Sequence, residues 1–413
     1  MLSVFIFKSN SRKIENGIIT YINELVEALL IHTYIEIFVV DYNSARYKEF
    51  STEKLAPRYL RVNIPSSQQP CLSNRTFEEK YAVAVVNLLS DLIPKNENVI
   101  FQLTSIDELF LLSILKKKYA YPILSIVKSS FNQEFFERNQ QEPEELDFIK
   151  IDKNIELGMS REKDIYQLSD VIISFTEIRT KFLVNHCEVN LNKIYTIPNG
   201  IDFNKFKQFS QEERLMLKFD LGFMPNEKVI LFYGKTNQFN GIFHLIDSFI
   251  EACKYLNNLR LVIMGEGLMT ECLEKYQSFY GKITFTGLLS ADKIKQFYQI
   301  TDIGVVQLHH DYCPYTLLEM VANRIPVVLL EGNGHIKLFD ETQRILGHPP
   351  IFEEDNLYSI NEFRKAILSI LNDKKFAIDL TENALLKLYN TYTAKEMAIG
   401  MNNIYESLCR FMN

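Results

Sequence analysis

The sequence predicts an α/β protein built from two doubly wound, Rossmann-like domains, and three observations carry that expectation. Short, almost continuously apolar segments alternate with amphipathic ones, the pattern of parallel strands covered by helices on both faces. The alternation runs to about residue 200, breaks at "PNGIDFNKFKQFS" and then restarts. The chain has 413 residues, more than one ordinary core serves, so two domains are the expected solution.

The first half opens with the strand "LSVFIF" and the helix "GIITYINELVEALL", whose apolar positions recur at steps of three and four. Strand "IEIFVVDY", helix "YAVAVVNLLSDLI", strand "NVIFQLT", helix "DELFLLSILKKKY" and strand "PILSIVKS" follow. A polar, acidic stretch from Asn132 to Lys153 separates these from helix "EKDIYQLS" and strand "DVIISFT". The second half runs strand "KVILFYG", helix "GIFHLIDSFIEACKYL", strand "LRLVIMGEG", helix "MTECLEKYQSFY" and strand "KITFTG". It continues with helix "SADKIKQFYQIT", strand "DIGVVQL", helix "PYTLLEMVAN" and strand "IPVV". The expected division is residues 1–200 and 201–391, with a terminal helix over 392–413 that stays with the second domain or crosses to the first. Two such domains facing each other make a cleft, and ligands of doubly wound sheets bind beyond the strand C-termini.

Composition narrows the classes of function. With 47% apolar and 23% charged residues the chain is globular, and a net charge of -7 is the wrong sign for a dedicated nucleic-acid binder. The six cysteines (Cys71, Cys187, Cys253, Cys272, Cys313 and Cys409) show no paired spacing, which reads as reduced thiols rather than a disulfide framework or zinc site. No apolar run approaches the ~20 residues of a membrane-spanning helix, and the start lacks a signal-peptide layout, so a cytoplasmic protein is expected. Fifteen glycines is about half of ordinary usage, so each is more telling of a backbone demand.

Three stretches bear on chemistry. In "HHDYCPYTLLEMVANRIPVV", Glu319 sits among Leu317, Leu318, Met320 and Val321, where a carboxylate is expected to be partly buried and to need a partner. Pro314 suits the first turn of that helix, whose free amides and positive dipole end would face the loop holding Asp311. Glu319, over a turn further in, could accept both hydroxyls of a ribose diol, or it could reach solvent or pair with Arg324. In "ILFYGKTNQFNGI", Gly234 and Lys235 follow a strand and Gly241 opens a helix, a geometry for seating a diphosphate. Lys235 is equally a surface lysine after a tight turn. "VIMGEGLMTECLEK" repeats the form with Gly265, Glu266 and Gly267, although a tight βα turn alone explains a lone Gly-x-Gly. Gly17, where the first loop becomes a helix, either lets a ligand approach the backbone or relieves a turn. His309 and His310 are adjacent in a strand and would face opposite ways, against a shared metal. No G-x-S-x-G elbow, P-loop, H-E-x-x-H or full G-x-G-x-x-G is present.

Taken in order, "KIYTIPNGIDFNKF", "ILFYGKTNQFNGIFHLIDSF", "LRLVIMGEGLMTECLEK", "ITFTGLLSADKIKQFYQITDIGVV" and "DYCPYTLLEMVANRIPVV" resemble the retaining GT-B glycosyltransferases of the family-four (group 1) class. The resemblance implies the GT-B fold, two facing Rossmann-like domains with an interdomain cleft. It implies a nucleoside-diphosphate sugar as donor, a glycan, lipid-linked, peptide or protein acceptor, and no metal or other cofactor. The E-x(7)-E pair of the family falls on Asp311, by the donor sugar, and Glu319, on the ribose. Tyr315, Thr316 and Leu317 would offer backbone amides to the sugar or phosphates. Gly17, Gly234, Gly265, Glu266, Leu288 and Pro314 complete the implied donor contacts. The family's two diphosphate cations correspond to Lys235 and Asn240, so one is a lysine and the other is replaced by a neutral amide. On the acceptor side Lys128 and Ser129 stand near the place of a histidine common in the family. With Asp311 one methylene short and no cation at 240, the alternative is a GT-B subunit that binds a partner transferase or a glycan.

Overall fold

The computed structural model describes residues 1–9, 16–66, 75–95, 98–105, 108–127, 148–236, 242–308, 314–331, 346–347 and 356–410. These fall into two compact units, Met1–Gly200 with Ala394–Asn413, and Ile201–Thr393.

The first unit runs β1 (Leu2–Ser9), α1 (Asn16–His32), β2 (Glu36–Ser44), β3 (Ser51–Ala56), β4 (Tyr59–Pro65), α2 (Arg75–Leu88) and β5 (Asn98–Leu103). It continues with α3 (Leu109–Lys118), β6 (Ile123–Val127), α4 (Phe148–Leu168), β7 (Val171–Ser174), α5 (Glu177–Cys187) and β8 (Ile194–Thr196). The eight strands lie in the order β3-β4-β2-β1-β5-β6-β7-β8. All neighbours are parallel except β3 and β4, an antiparallel hairpin that forms one edge. The run "VFIF" explains why β1 is central, since Val4, Phe5, Ile6 and Phe7 are fully buried and so must be covered on both faces. Phe5 stacks on Phe38 of β2 with ring centroids 4.2 Å apart, and the β1 rings meet Phe101 of β5 edge-on.

The second unit runs α6 (Gln211–Asp220), β9 (Lys228–Tyr233), α7 (Ile242–Cys253), β10 (Leu259–Met264), α8 (Met269–Lys275), β11 (Ile283–Gly287) and α9 (Ala291–Ile300). There follow β12 (Ile303–Leu308), α10 (Tyr315–Ala322), β13 (Val327–Glu331), β14 (Leu346–Gly347), α11 (Asn356–Asn372) and α12 (Lys374–Thr391). Its six strands are ordered β11-β10-β9-β12-β13-β14, every pair parallel. The chain therefore winds outward from β9 through β10 to β11, then returns to place β12 on the other side of β9. The point where the winding reverses lies between β9 and β12, registered Ile230 to Ile303 and Phe232 to Val305. Helix α7 buries Ile242, Leu245, Ile246, Phe249, Ala252 and Cys253, a continuous stripe at helical spacing that packs with Phe232, Leu261 and Phe363.

Helix α13 (Ala394–Arg410) belongs to the first unit, where it packs on α1 and its buried Tyr405 phenol donates to Gln102 of β5. The outgoing and returning chain segments run side by side, with Ile201 bridged to Thr393 and the Ile201 amide donating to the Tyr392 carbonyl at 2.9 Å.

Three local expectations are corrected. Helix α4 starts at Phe148, so its first turns take up the end of the stretch read as polar loop. Its apolar positions Phe148 and Ile151 were masked by the charges around them. Pro314 is the N-cap of α10, with extended backbone, and Tyr315 is the first helical residue. "MTECLEKYQSFY" is a short α-helix that tightens into a 3₁₀ turn over Gln277–Lys282.

Candidate donor-binding site

Ligands of doubly wound sheets bind beyond the strand C-termini where the winding reverses. In the second unit that point is flanked by the segments that leave β9 and β12, which carry Gly234–Lys235 and the start of α10. Lys235 is exposed, two residues beyond β9. Helix α10 opens on Pro314, which supplies no side-chain cap. The Leu317 amide is already engaged, donating to the Pro314 carbonyl at 3.0 Å, and the Leu317 side chain is fully buried. Of the three amides expected there, those of Tyr315 and Thr316 form the opening turn.

Why α10 can seat here is a matter of space. Gly304 of β12 faces Met320, and a Cβ at 304 would overlap the Met320 thioether. Leu317, Leu318, Met320 and Val321 are buried, so the helix is fixed on the sheet by four apolar contacts around Glu319. Glu319 itself is partly buried. Its Oε2 accepts a hydrogen bond of 2.7 Å from the Tyr298 phenol of α9. Burial, with the Glu319 carboxylate beside it, holds the Tyr298 phenol well above its ordinary value, so it stays a proton donor. Arg324, the alternative partner, pairs with Glu382 of α12 instead. Helices α9 and α10 are tied a second time, Gln299 Nε2 donating to Asn323 Oδ1 at 2.7 Å while Asn323 Nδ2 donates to the Glu319 carbonyl at 2.8 Å.

The Gly-x-Gly after β10 serves the backbone. Gly265 and Gly267 have φ of +137° and +143°, and a Cβ at either would overlap the carbonyl of Gly234 or Thr236. That close approach lets the Gly234 amide donate to Met264 O at 3.0 Å, Thr236 to Glu266 O at 2.8 Å and Leu268 to Thr236 O at 2.6 Å. The Gly265 amide donates to Gly287 O at 3.1 Å, extending the lacing to the loop where Leu288 stands exposed. Thus Gly234, Lys235, Gly265, Glu266 and Leu288 lie on three βα turns, the one after β10 bonded to each of the other two.

Gly17 lies in α1 of the first unit. Asp311, Asn240, Lys128 and Ser129 fall outside the described residues. Tyr298, Tyr233, Thr236 and Gly304 were missed by sequence reasoning. Tyr298 looks like one more buried-face residue of α9, and only the small glycine count offered a signal for Gly304. Among the described residues no cluster of three or more His, Cys, Asp or Glu is arranged to hold a metal, and no helix is long and apolar enough to cross a membrane. The described cysteines Cys187, Cys253, Cys272 and Cys409 are buried and unpaired, with burial pushing the Cys187 thiol up to about 12, the opposite of an activated nucleophile.

Residues 214–387 match the family model described as "Glycosyl transferases group 1". The alpha-galactosylglucosyldiacylglycerol synthase of Streptococcus pneumoniae is 24% identical over 218 residues, 50% of this chain and 56% of that one. The chain spans about half the length of the curated relatives it matches. Among solved structures, the sucrose-phosphate synthase of Thermosynechococcus elongatus superimposes with a TM-score of 0.74 at 15% identity, covering 99% of both chains. HepE of Anabaena, solved in complex with UDP-glucose, gives 0.68 at 12% identity over 98% of this chain and 99% of that one. The fold is that of the GT-B transferases. The family match lies within the second unit, Ile201–Thr393.

Proposed function

We propose that this protein transfers a sugar from a nucleoside-diphosphate sugar to an acceptor, with retention at the anomeric carbon, and that the second unit holds the donor. The observation that carries the reading is Glu319, a carboxylate on the first turns of α10 at the winding reversal, held by a buried phenol at 2.7 Å. An ionised carboxylate accepts through about four lone-pair sites, enough for both hydroxyls of a ribose besides the phenol. The diphosphate would lie against Lys235 and the opening amides of α10. There the ammonium and the helix dipole stabilise the charge that develops on the leaving group. No divalent ion is needed for that role. Asp311 is assigned to the donor sugar and Asn240 to a neutral contact with the diphosphate. Lys128 and Ser129 are assigned to the acceptor side. That HepE binds UDP-glucose on the same fold supports a uridine donor as the first to try.

The test is release of nucleoside diphosphate from a panel of UDP-, GDP- and ADP-sugars, with and without glycan and lipid acceptors. Wild type is expected to consume one donor, and Glu319→Ala and Lys235→Ala to lose about 10²–10³-fold of that rate. Equal turnover in wild type and both variants contradicts the site. The neutral Asn240 favours a second reading, a subunit that binds a partner transferase or glycan. That reading expects no nucleotide binding at all.

A further inference from the structure

Tyr298 is the residue whose role neither the family match nor the sequence motifs assign. Its phenol donates to Glu319 Oε2 at 2.7 Å, and the residue is 3% exposed. A buried phenol needs a partner, and its single proton is donated to this carboxylate. The ring is held in turn. It meets Tyr233 edge-on, with centroids 6.5 Å apart and planes at 65°. Tyr233 ends β9 and is followed at once by Gly234 and Lys235. Helix α9 is fixed along its length by the Ser290 cap at one end and by the Gln299–Asn323 bond to α10 at the other.

We propose that Tyr298 is a positioning residue of the donor site, setting the Glu319 carboxylate for the ribose hydroxyls and registering α10 against the strand end that leads to Lys235. This rests on the reading of Glu319 as the ribose acceptor. A glutamate side chain has three rotatable bonds, and a partly exposed one samples several rotamers unless something selects among them. A charge-assisted bond from a rigid, buried donor does so, and the carboxylate keeps acceptor sites for a diol. One aromatic side chain thereby touches both elements that present the donor-binding groups.

The experiment compares calorimetric binding of UDP, GDP and ADP with that of their 2′,3′-dideoxy forms, for wild type, Glu319→Gln, Tyr298→Phe and Tyr298→Leu. Wild type is expected to prefer one ribonucleotide to its dideoxy form, and Glu319→Gln to erase that preference. Tyr298→Phe, which keeps the ring, should weaken the ribonucleotide roughly tenfold and leave the dideoxy form within about twofold. It should also move the acid limb of ribonucleotide binding to higher pH, because the carboxylate loses a donor that favours its ionised form. Tyr298→Leu should weaken both forms, since the contact to the Lys235 strand end goes as well. If Tyr298→Phe binds the ribonucleotide like wild type, or weakens both forms equally, the positioning role is overturned while Glu319 keeps its assignment. If wild type binds no diphosphate, or does not discriminate the dideoxy form, the ribose reading itself fails and the role of Tyr298 fails with it.

Discussion

Two kinds of residue stand out in the second unit, those that hold backbone close and the partly buried carboxylate of Glu319. Gly265 and Gly267 are the first kind. Their positive φ and the overlap any Cβ would make with Gly234 O or Thr236 O leave no room for alanine. Gly267→Ala should cost about 3 kcal/mol, from the left-handed strain and the forced separation of two laced turns. Thermal unfolding of the variant checks this, with a fall of several degrees expected and an unchanged midpoint contradicting it. Glu319 is the second kind, and it was legible in the sequence because a charge among Leu317, Leu318, Met320 and Val321 demands an explanation. Its partner was not legible. A phenol reaching across from another helix leaves no trace in spacing, because the contact joins residues 298 and 319 through the fold.

At the scale of elements, the strand starts of the second unit are pinned by Asp302, which precedes β12. Its carboxylate accepts from the Val229 amide at 2.9 Å and lies 3.0 Å from Arg214, 3.5 Å from Lys218 and 3.5 Å from Lys228. Lys218 is only 5% exposed, and burial pulls its ammonium below the ordinary lysine value despite Asp302 beside it. Removing that carboxylate strands a buried charge, so Asp302→Ala should destabilise the protein by about 3 kcal/mol. Lys218→Met with Asp302→Ala should recover part of the loss in denaturant unfolding, and no recovery would argue against the pair. The apolar runs that became central strands were readable for the reason that they are central, being buried on both faces. The β3–β4 hairpin was not, because the edge strand "STEKLA" is exposed at every residue but its last and carries no apolar alternation.

The whole molecule has a property visible only when its tyrosines are taken together. Tyr21, Tyr42, Tyr166, Tyr298 and Tyr405 are buried, and burial raises each phenol above its ordinary value of 10.0. The folded chain therefore keeps protons that the unfolded chain releases near pH 10. Stability is full below that pH and falls as pH rises through and beyond it, by up to roughly 1.4 kcal/mol per tyrosine per pH unit. Denaturant midpoints measured from pH 8 to 11 should drop steeply above about pH 10, and a flat profile would contradict the burial of these phenols. The restart of the strand–helix alternation made two domains readable from the sequence. That α13 packs on α1 was not, since its apolar stripe of Met397, Met401, Ile404 and Leu408 states that it is buried and not against what.

The claim that the second unit is a nucleotide-sugar site is tested most directly by calorimetric titration of UDP-, GDP- and ADP-sugars into wild type, Glu319→Ala and Lys235→Ala. The account predicts that one donor binds wild type and binds each variant at least about tenfold more weakly, the Lys235 loss shrinking as salt rises. Failure of every donor to bind wild type, or equal binding by all three proteins, would contradict it.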